Sequence, residues 1–482
     1  MSGGSLLVVD VGTSGLRAAI VRPDATVEHV HHQVLLPTSP APGFVEFDAA
    51  AMAKAALECA HAALAAGGPV DAVGITNQRA STIVWDRATG EPVGPGVGWQ
   101  DLRTAGMCLM LREQGLRVAP NASATKLAFL LDMADADRTR DLCFGTVDTW
   151  VAWTLSGGDL HVTDLSNAAV TGLMHGNGDG WNEATLELLR VPPSVLPRIV
   201  DSSGVVGPAS ALDGAPPIAG MAGDQQASLI GQGCVRPGMA KITFGTGGML
   251  DMVVGDRPAF DTRGEAGTFP IVAWRRARAI TWGIEAIMLS AGTNVEWLRD
   301  DLGLIETSAA SADVAAQCDS TDGVMYVPAL LGLGTPYWDY GARGTLLGIT
   351  RGSGRAHIVR AVLEGVAQRG ADLVDAAEAD CATTLESVRI DGGMSANDVF
   401  VHALANATQK PIEVSPELEA TTLGAGFLAG LATGTWGSDG DIAATWKAAR
   451  TVEPSGSFDR GRWREACRRA EQWIPELSSL EF

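Results

Sequence analysis

Two segments, one in each half of the chain, carry the same pattern: an apolar strand, a tight turn of glycine and hydroxyl residues, and a second strand. The first runs Leu6-Leu7-Val8-Val9-Asp10-Val11-Gly12-Thr13-Ser14-Gly15 and continues through Leu16 and Arg17 into Ala18-Ala19-Ile20-Val21. The second is Ala240-Lys241-Ile242-Thr243-Phe244-Gly245-Thr246-Gly247-Gly248-Met249-Leu250. Turns of this kind line up backbone N–H groups into an anion-binding concavity, and glycine lets a phosphate chain approach the backbone closely. One copy per half implies two related domains facing a shared phosphate-bearing ligand across a cleft.

A chain of 482 residues exceeds one core and suits two domains of roughly 200–250 residues. Strand-like and helix-like stretches alternate in both halves, which indicates an α/β architecture. Helices are expected over 49–66, 126–133, 148–155, 284–301, 357–378 and 421–432. Strands are expected over 70–75, 81–85 and 324–330, and in a run ending at Asp391. The boundary is placed at Gly231-Gln232-Gly233, dividing 1–231 from 232–482.

A net charge of −21 argues against nucleic acid or an anionic membrane surface as a partner. The seven cysteines (59, 108, 143, 234, 318, 381 and 467) contain no Cys-x-x-Cys pair, which argues against zinc and redox motifs. The first residues lack the pattern of a secretory signal, and the apolar stretch 423–433 is too short to span a bilayer. A cytoplasmic protein is the expectation.

None of the five lysines (54, 126, 241, 410 and 447) follows a glycine, so a P-loop of the Gly-x-x-x-x-Gly-Lys type is absent. Three carboxylate segments are candidates for another phosphate architecture. Asp10 ends an apolar strand, where its carboxylate suits hydrated Mg²⁺; the same residues also read as a plain Asp-x-Gly turn. Asp224, in Gly223-Asp224-Gln225-Gln226, can serve as the base for an attacking hydroxyl, or as the start of a helix. Asp391-Gly392-Gly393-Met394-Ser395-Ala396-Asn397 offers two glycines against a flat base or ribose and an amide for its edge; it also reads as a left-handed turn into a helix.

Their order along the chain carries more than any one of them. Matching segments include 43–48 (Gly-Phe-Val-Glu-Phe-Asp), 74–79 (Gly-Ile-Thr-Asn-Gln-Arg), 99–104 (Trp-Gln-Asp-Leu-Arg-Thr), His161-Val162-Thr163-Asp164, 223–226, and 238–241 into the second hairpin. They continue through 334–338 (Gly-Thr-Pro-Tyr-Trp), 342–344, 357–364, 391–397 and 422–426. In these segments the chain resembles the FGGY carbohydrate kinases, and among them is most similar to the glycerol kinases.

The resemblance implies two ribonuclease-H-like (actin/hexokinase-type) domains closing on MgATP and a small polyol or sugar. By it, Asp224 is the catalytic base and Asp10 lies by the metal. Thr13, Ser14, Arg17 and Thr246 hold the phosphates, and Gly292, Glu296, Gly393 and Asn397 surround the nucleoside. Glu296 departs from the Gln usual there. Of the acceptor contacts, Arg79, Asp224 and Gln225 remain, whereas Ala80 replaces a Glu, Asn121 a Tyr and Met249 a Phe.

Two of these three replacements remove bulk, and a lost buried partner costs about 1–3 kcal/mol in acceptor binding, so the expected acceptor is a four- or five-carbon polyol or ketose in a roomier pocket. The alternative is glycerol, giving glycerol 3-phosphate; a non-catalytic sugar-binding protein is the remote one. An actin- or chaperone-like ATPase has no use for Asn77-Gln78-Arg79. Ala215 stands where regulated bacterial glycerol kinases carry an Arg for fructose bisphosphate, so the resemblance implies no inhibition through that site. A homodimer is compatible with the family, although no segment gives a signature for one. Trp99, Tyr337 and Trp338 read as packing and cleft-wall residues, and 460–469 as a solvated helix face.

Overall fold

The computed structural model describes residues 4–416 and 419–480. Strand β1 (Leu6–Val11) is buried along its whole length because both faces of the sheet are covered. Side chains alternate across a strand, so Leu7, Val9 and Val11 pack towards helix α1 (Ala49–Gly67), which starts at Asp48 with its carboxylate accepting from the Ala51 N–H at 2.9 Å. Leu6 and Val8 enter a second cluster on the opposite face. Asp10 shares the parity of Leu6 and Val8, and this alternation decides what its carboxylate meets.

A continuous 13-stranded sheet runs through the molecule. Besides β1 its strands are β2 (Gly15–Val21), β3 (Val27–Val34), β4 (Ala72–Asn77), β5 (Ser203–Pro208), β6 (Pro217–Gly223), β7 (Ala240–Phe244), β8 (Gly248–Gly255), β9 (Phe269–Arg276), β10 (Ala279–Met288), β11 (Val388–Asp391), β12 (Ile412–Val414) and β13 (Arg450–Val452). In space the order is β13-β12-β11-β7-β8-β10-β9-β5-β6-β4-β1-β2-β3.

Each lobe has the same plan. In the first, β1, β2 and β3 are antiparallel neighbours, and β4 and β6 add parallel to β1. In the second, β7, β8 and β10 are antiparallel, and β11 and β12 add parallel to β7. The two halves of the sheet join at one residue pair between β5 and β9, Ser203 opposite Arg276.

Helices complete the layers: α2 (Ser123–Ala134), α3 (Val147–Leu155), α4 (Leu165–Ala169), α5 (Asp224–Gly231), α6 (Thr293–Asp300), α7 (Arg355–Cys381), α8 (Asp398–Thr408), α9 (Ala420–Thr433) and α10 (Arg460–Ala470). Helix α9, late in the chain, lies on the first lobe's sheet and against α5. A Cβ added at Gly424 would sit 1.8 Å from the Ala227 carbonyl oxygen, and one at Gly74 on β4 would sit 2.6 Å from that of Ala425. Those glycines exist because two backbones pass in contact.

One expected element is corrected. The run 284–301 is not a single helix: Ile284–Met288 completes β10, and only Thr293–Asp300 is helical. β10 pairs with β8 on one side and β9 on the other, and its residues from Trp282 are nearly all buried. A short apolar run does not distinguish strand from helix by periodicity, and here tertiary pairing decides. The strand expected over 324–330 is shorter, Met325–Val327.

Candidate active site

The end of β6 places the central carboxylate. Gly223 is extended, and Asp224 begins α5 with its Oδ1 accepting from the Gln225 N–H at 2.8 Å. Two residues past the parallel neighbour β4, Arg79 reaches across with Nε 3.5 Å from Asp224 Oδ1. Its Nη2 lies 2.6 Å from Glu285 Oε2, which comes from β10 of the other lobe. Among the described residues, Nη1 of Arg79 is buried with no hydrogen-bond partner. Burial pushes the Asp224 carboxyl above its ordinary value, and Arg79 opposes the rise.

Alternation explains what the second lobe contributes. On β7, β8 and β10, Ile242, Phe244, Leu250, Met252, Ile284 and Ala286 enter the core. The opposite parity carries Lys241, Thr243, Met249, Asp251, Glu285 and Ile287, paired in register as Lys241–Asp251, Thr243–Met249, Met249–Ile287 and Asp251–Glu285. Lys241 Nζ sits 2.8 Å from Asp251 Oδ2, both fully buried, and donates to Gln225 Oε1 at 2.7 Å and Thr243 Oγ1 at 2.9 Å. Burial raises the Asp251 carboxyl, against the pull of Lys241. Arg79, Asp224 and Gln225 are thus each tied to the second lobe or to each other by charged groups.

The two glycine turns are held differently. In the first, Gly12 N–H donates to the Gly15 carbonyl at 2.9 Å, and the Trp99 indole donates to Thr13 Oγ1 at 3.1 Å. Ser14 at its tip is exposed. In the second, the N–H groups of Ala291 and Gly292 donate to the carbonyls of Thr246 and Gly245, each at 2.8 Å, so the turn is strapped to the start of α6. Gly392, at φ +84°, packs against the end of β7, where a Cβ would meet the Phe244 carbonyl oxygen at 2.4 Å. Thr246, Gly292 and Gly393 are therefore neighbours of one turn. Glu296 is exposed one turn into α6. The Asn397 amide is engaged within the protein: its oxygen caps α8 at Phe400 N–H (3.1 Å) and its nitrogen donates to Ser311 Oγ (3.0 Å).

Asp10 points to the face that α9 covers. Thr422 Oγ1 donates to its Oδ2 at 3.0 Å, and Arg17 Nε lies 3.6 Å away. Arg17 also ion-pairs with Glu419. Burial pushes the Asp10 carboxyl up to about 6, against the pull of Arg17. A buried, under-neutralised carboxylate is what a cation would relieve. Among the described residues no group of three or more metal-binding side chains gathers. One carboxylate at the strand end that leads into the first glycine turn suits Mg²⁺, which binds through one or two carboxylates and takes further ligands from phosphates and water.

At the positions where the resemblance implied a replaced contact, Ala80 is buried at φ +60° and its carbonyl accepts from Ser123 Oγ at 2.9 Å. Asn121 is exposed just before α2, and its carbonyl accepts from Lys126 Nζ at 3.0 Å. Lys126 also donates to the Trp99 carbonyl at 3.1 Å, and burial lowers its ammonium to about 7. Three groups here escaped the sequence reading. Glu285 lay in a run read as helix. Lys241 stood in a matching segment without an assigned role. Thr422 lies more than 400 residues from the carboxylate it meets, as the 412-residue separation records.

Comparison with known proteins bears on this arrangement. The N-terminal and C-terminal domain models of the FGGY family of carbohydrate kinases match residues 5–231 and 240–433. The chain belongs to the FGGY family of carbohydrate kinases. The kinase is 44% identical to a glycerol kinase of Aromatoleum aromaticum, over 97% of this chain and 99% of that one. It is 42% identical to one of Bordetella parapertussis, over 97% of each chain. The Plasmodium falciparum glycerol kinase solved with ADP superposes with a TM-score of 0.89 at 26% identity, covering 99% of both chains. The fold is thus the expected pair of actin/hexokinase-type domains, and the enzyme is a phosphotransferase with an alcohol group as acceptor. Among the described residues no helix is long and apolar enough to cross a membrane.

Proposed function

We propose that this kinase transfers the γ-phosphate of MgATP to a terminal hydroxyl of glycerol, forming glycerol 3-phosphate. The observation that carries the reading is the Arg79–Asp224 pair. A buried carboxylate, raised in pKa, stands beside a guanidinium whose Nη1 has no partner among the described residues. An unpaired buried donor costs about 1–3 kcal/mol, and an acceptor hydroxyl bound next to Asp224 removes that cost.

Asp224 accepts the hydroxyl proton as the oxygen attacks, and Arg79 holds the acceptor against it. The backbone donors of the two turns, with Thr13, Ser14, Arg17 and Thr246, align and neutralise the phosphates. Mg²⁺ beside Asp10 would supply further charge neutralisation on the phosphates. Closure of the lobes, through contacts such as Arg79–Glu285, excludes water as a competing acceptor.

The four- or five-carbon acceptor expected from Ala80, Asn121 and Met249 gives way to glycerol. Relatives at 42–44% identity over nearly the whole chain bear the name glycerol kinase, and Arg79, Asp224 and Gln225 are present. The test is ADP release with MgATP against glycerol, erythritol, threitol, xylitol, ribitol, arabitol, xylulose and ribulose, with Asp224→Asn alongside. Glycerol should give the highest kcat/KM, and Asp224→Asn should keep ATP binding while turnover falls at least about a hundredfold. Preference for a longer acceptor restores the wide-pocket reading, and near-normal turnover by Asp224→Asn overturns the base.

A further inference from the structure

Behind Asp224 and Arg79 lies a buried polar cluster that contacts neither ligand region. Asp164 precedes the short helix α4 and caps it, fully buried at 0% exposure. Its carboxylate accepts five hydrogen bonds: from Ser166 N–H (2.9 Å) and Oγ (3.0 Å), Asn167 N–H (3.0 Å) and Nδ2 (2.9 Å), and Ser202 Oγ (2.7 Å). Asp148 on α3 accepts the Asp164 N–H at 3.1 Å and the Thr163 hydroxyl at 2.8 Å, which fixes the segment from below. A helix cap needs one or two of these bonds. The remainder orient Ser166 and Asn167, and both lead to the site.

Ser166 Oγ, having donated to Asp164, accepts the Gly223 N–H at 3.0 Å. Gly223 is the residue before Asp224, at the turn from β6 into α5. Its Cα is closely enclosed, since a Cβ there would lie 2.7 Å from the Arg79 side chain. Asn167 exchanges amide hydrogen bonds with Asn77: Asn77 Nδ2 donates to Asn167 Oδ1 at 2.9 Å, and Asn167 Nδ2 donates to Asn77 Oδ1 at 3.1 Å. Asn77 ends β4, and its Nδ2 also donates to the Gln78 carbonyl at 2.8 Å, the peptide that leads into Arg79. β4 and β6 are parallel neighbours with Gly223 opposite Asn77. Asp164 therefore braces both strand ends that carry the reacting pair.

We propose that Asp164 is a positioning residue with two separable arms: Ser166 sets the backbone under Asp224, and Asn167 sets the backbone under Arg79. The inference rests on the assignment of Asp224 as base and Arg79 as acceptor contact. A proton acceptor displaced by a few tenths of an ångström loses transition-state alignment, which lowers kcat; a displaced Arg79 weakens acceptor binding, which raises KM.

The test is steady-state kinetics on Ser166→Ala and Asn167→Ala, each also built on Asp224→Asn, with ADP binding by calorimetry as a control for folding. Ser166→Ala should lower kcat about tenfold or more with acceptor KM within twofold. Asn167→Ala should raise acceptor KM about tenfold with a smaller change in kcat. Because Ser166 acts through Asp224, Ser166→Ala should add little to Asp224→Asn, a non-additivity that general loosening does not produce. Equal proportional changes in kcat and KM in both variants, full additivity, or wild-type kinetics in either variant overturns the inference. Asp224→Asn with near-normal turnover instead overturns the base assignment on which it rests. A variant that no longer binds ADP is replaced by Ser202→Ala, which removes one support of Asp164 and should show both effects in milder form.

Discussion

Asp10→Asn should make the ligand-free protein more stable while abolishing its turnover. The Asp10 carboxyl is 6% exposed and is held at about 6 instead of the ordinary 3.8, because burial outweighs the help of Arg17 and Thr422. An acid held above its unfolded value binds its proton more tightly when folded, so the ionised form costs stability. Below pH 3.8 both states are protonated and there is no cost. Between 3.8 and about 6 stability falls as pH rises, and above that the cost is complete. At about 1.36 kcal/mol per pH unit the cost reaches roughly 3 kcal/mol at pH 7.

Asparagine has no charge to bury and keeps an oxygen for the Thr422 hydroxyl. Urea unfolding of both proteins from pH 3.5 to 8, without nucleotide, measures the difference. Asp10→Asn should match the wild type at the acid end and exceed it by about 3 kcal/mol at pH 7. With MgADP the order should narrow or reverse, because binding to the native state stabilises the protein that binds better. A variant less stable at pH 7, or a difference that does not change with pH, refutes the reasoning that Asp10 is a carboxylate held in wait for a cation.

Lys241→Met leaves Asp251 buried without its partner and should cost about 3–5 kcal/mol in urea unfolding, much of it recovered by adding Asp251→Leu; a cost below 1 kcal/mol in the single variant refutes the pair's role. Gly424→Ala drives a Cβ to 1.8 Å from the Ala227 carbonyl on α5 and should lower stability by at least about 1–3 kcal/mol and turnover with it. Gly106→Ala, in an open helix position with nothing within 4 Å, should be neutral or stabilising; equal losses in the two thermal melts refute the close-contact reasoning. Fructose bisphosphate should leave turnover unchanged at millimolar concentration, since Ala215 is an exposed small residue in a loop; strong inhibition reversed by mutating 211–217 refutes this.

Much of the candidate site's local structure was legible because its signals are local. A strand of buried residues, a glycine-hydroxyl turn and an Asp at the strand's end are written within ten consecutive positions, and backbone sterics translate them directly into β1, the turn and β2. The long helix α7 and the small-residue helix α9 are likewise set by 3.6-residue periodicity, and their ends differ from expectation by only a few residues. The residues flanking Asp224 and Asn77-Gln78-Arg79 carried the family resemblance and, through it, the acceptor contacts proposed above.

Local sequence pattern was enough for the two-fold repeat, the α/β class and the set of charged groups proposed for phosphate and hydroxyl. Tertiary structure decided which of those groups meet. Glu285 lies 206 residues from the arginine it holds, and no local period links them; only the pairing of β10 between β8 and β9 makes that stretch a strand and turns Glu285 away from the core. The same is true of Thr422 on Asp10, of α9 against the first lobe, and of the Asp164 cluster beneath Asp224 and Arg79. Each joins groups far apart in the chain, and a low-dielectric interior enforces such pairings because a buried polar group left alone costs more than the chain can spare.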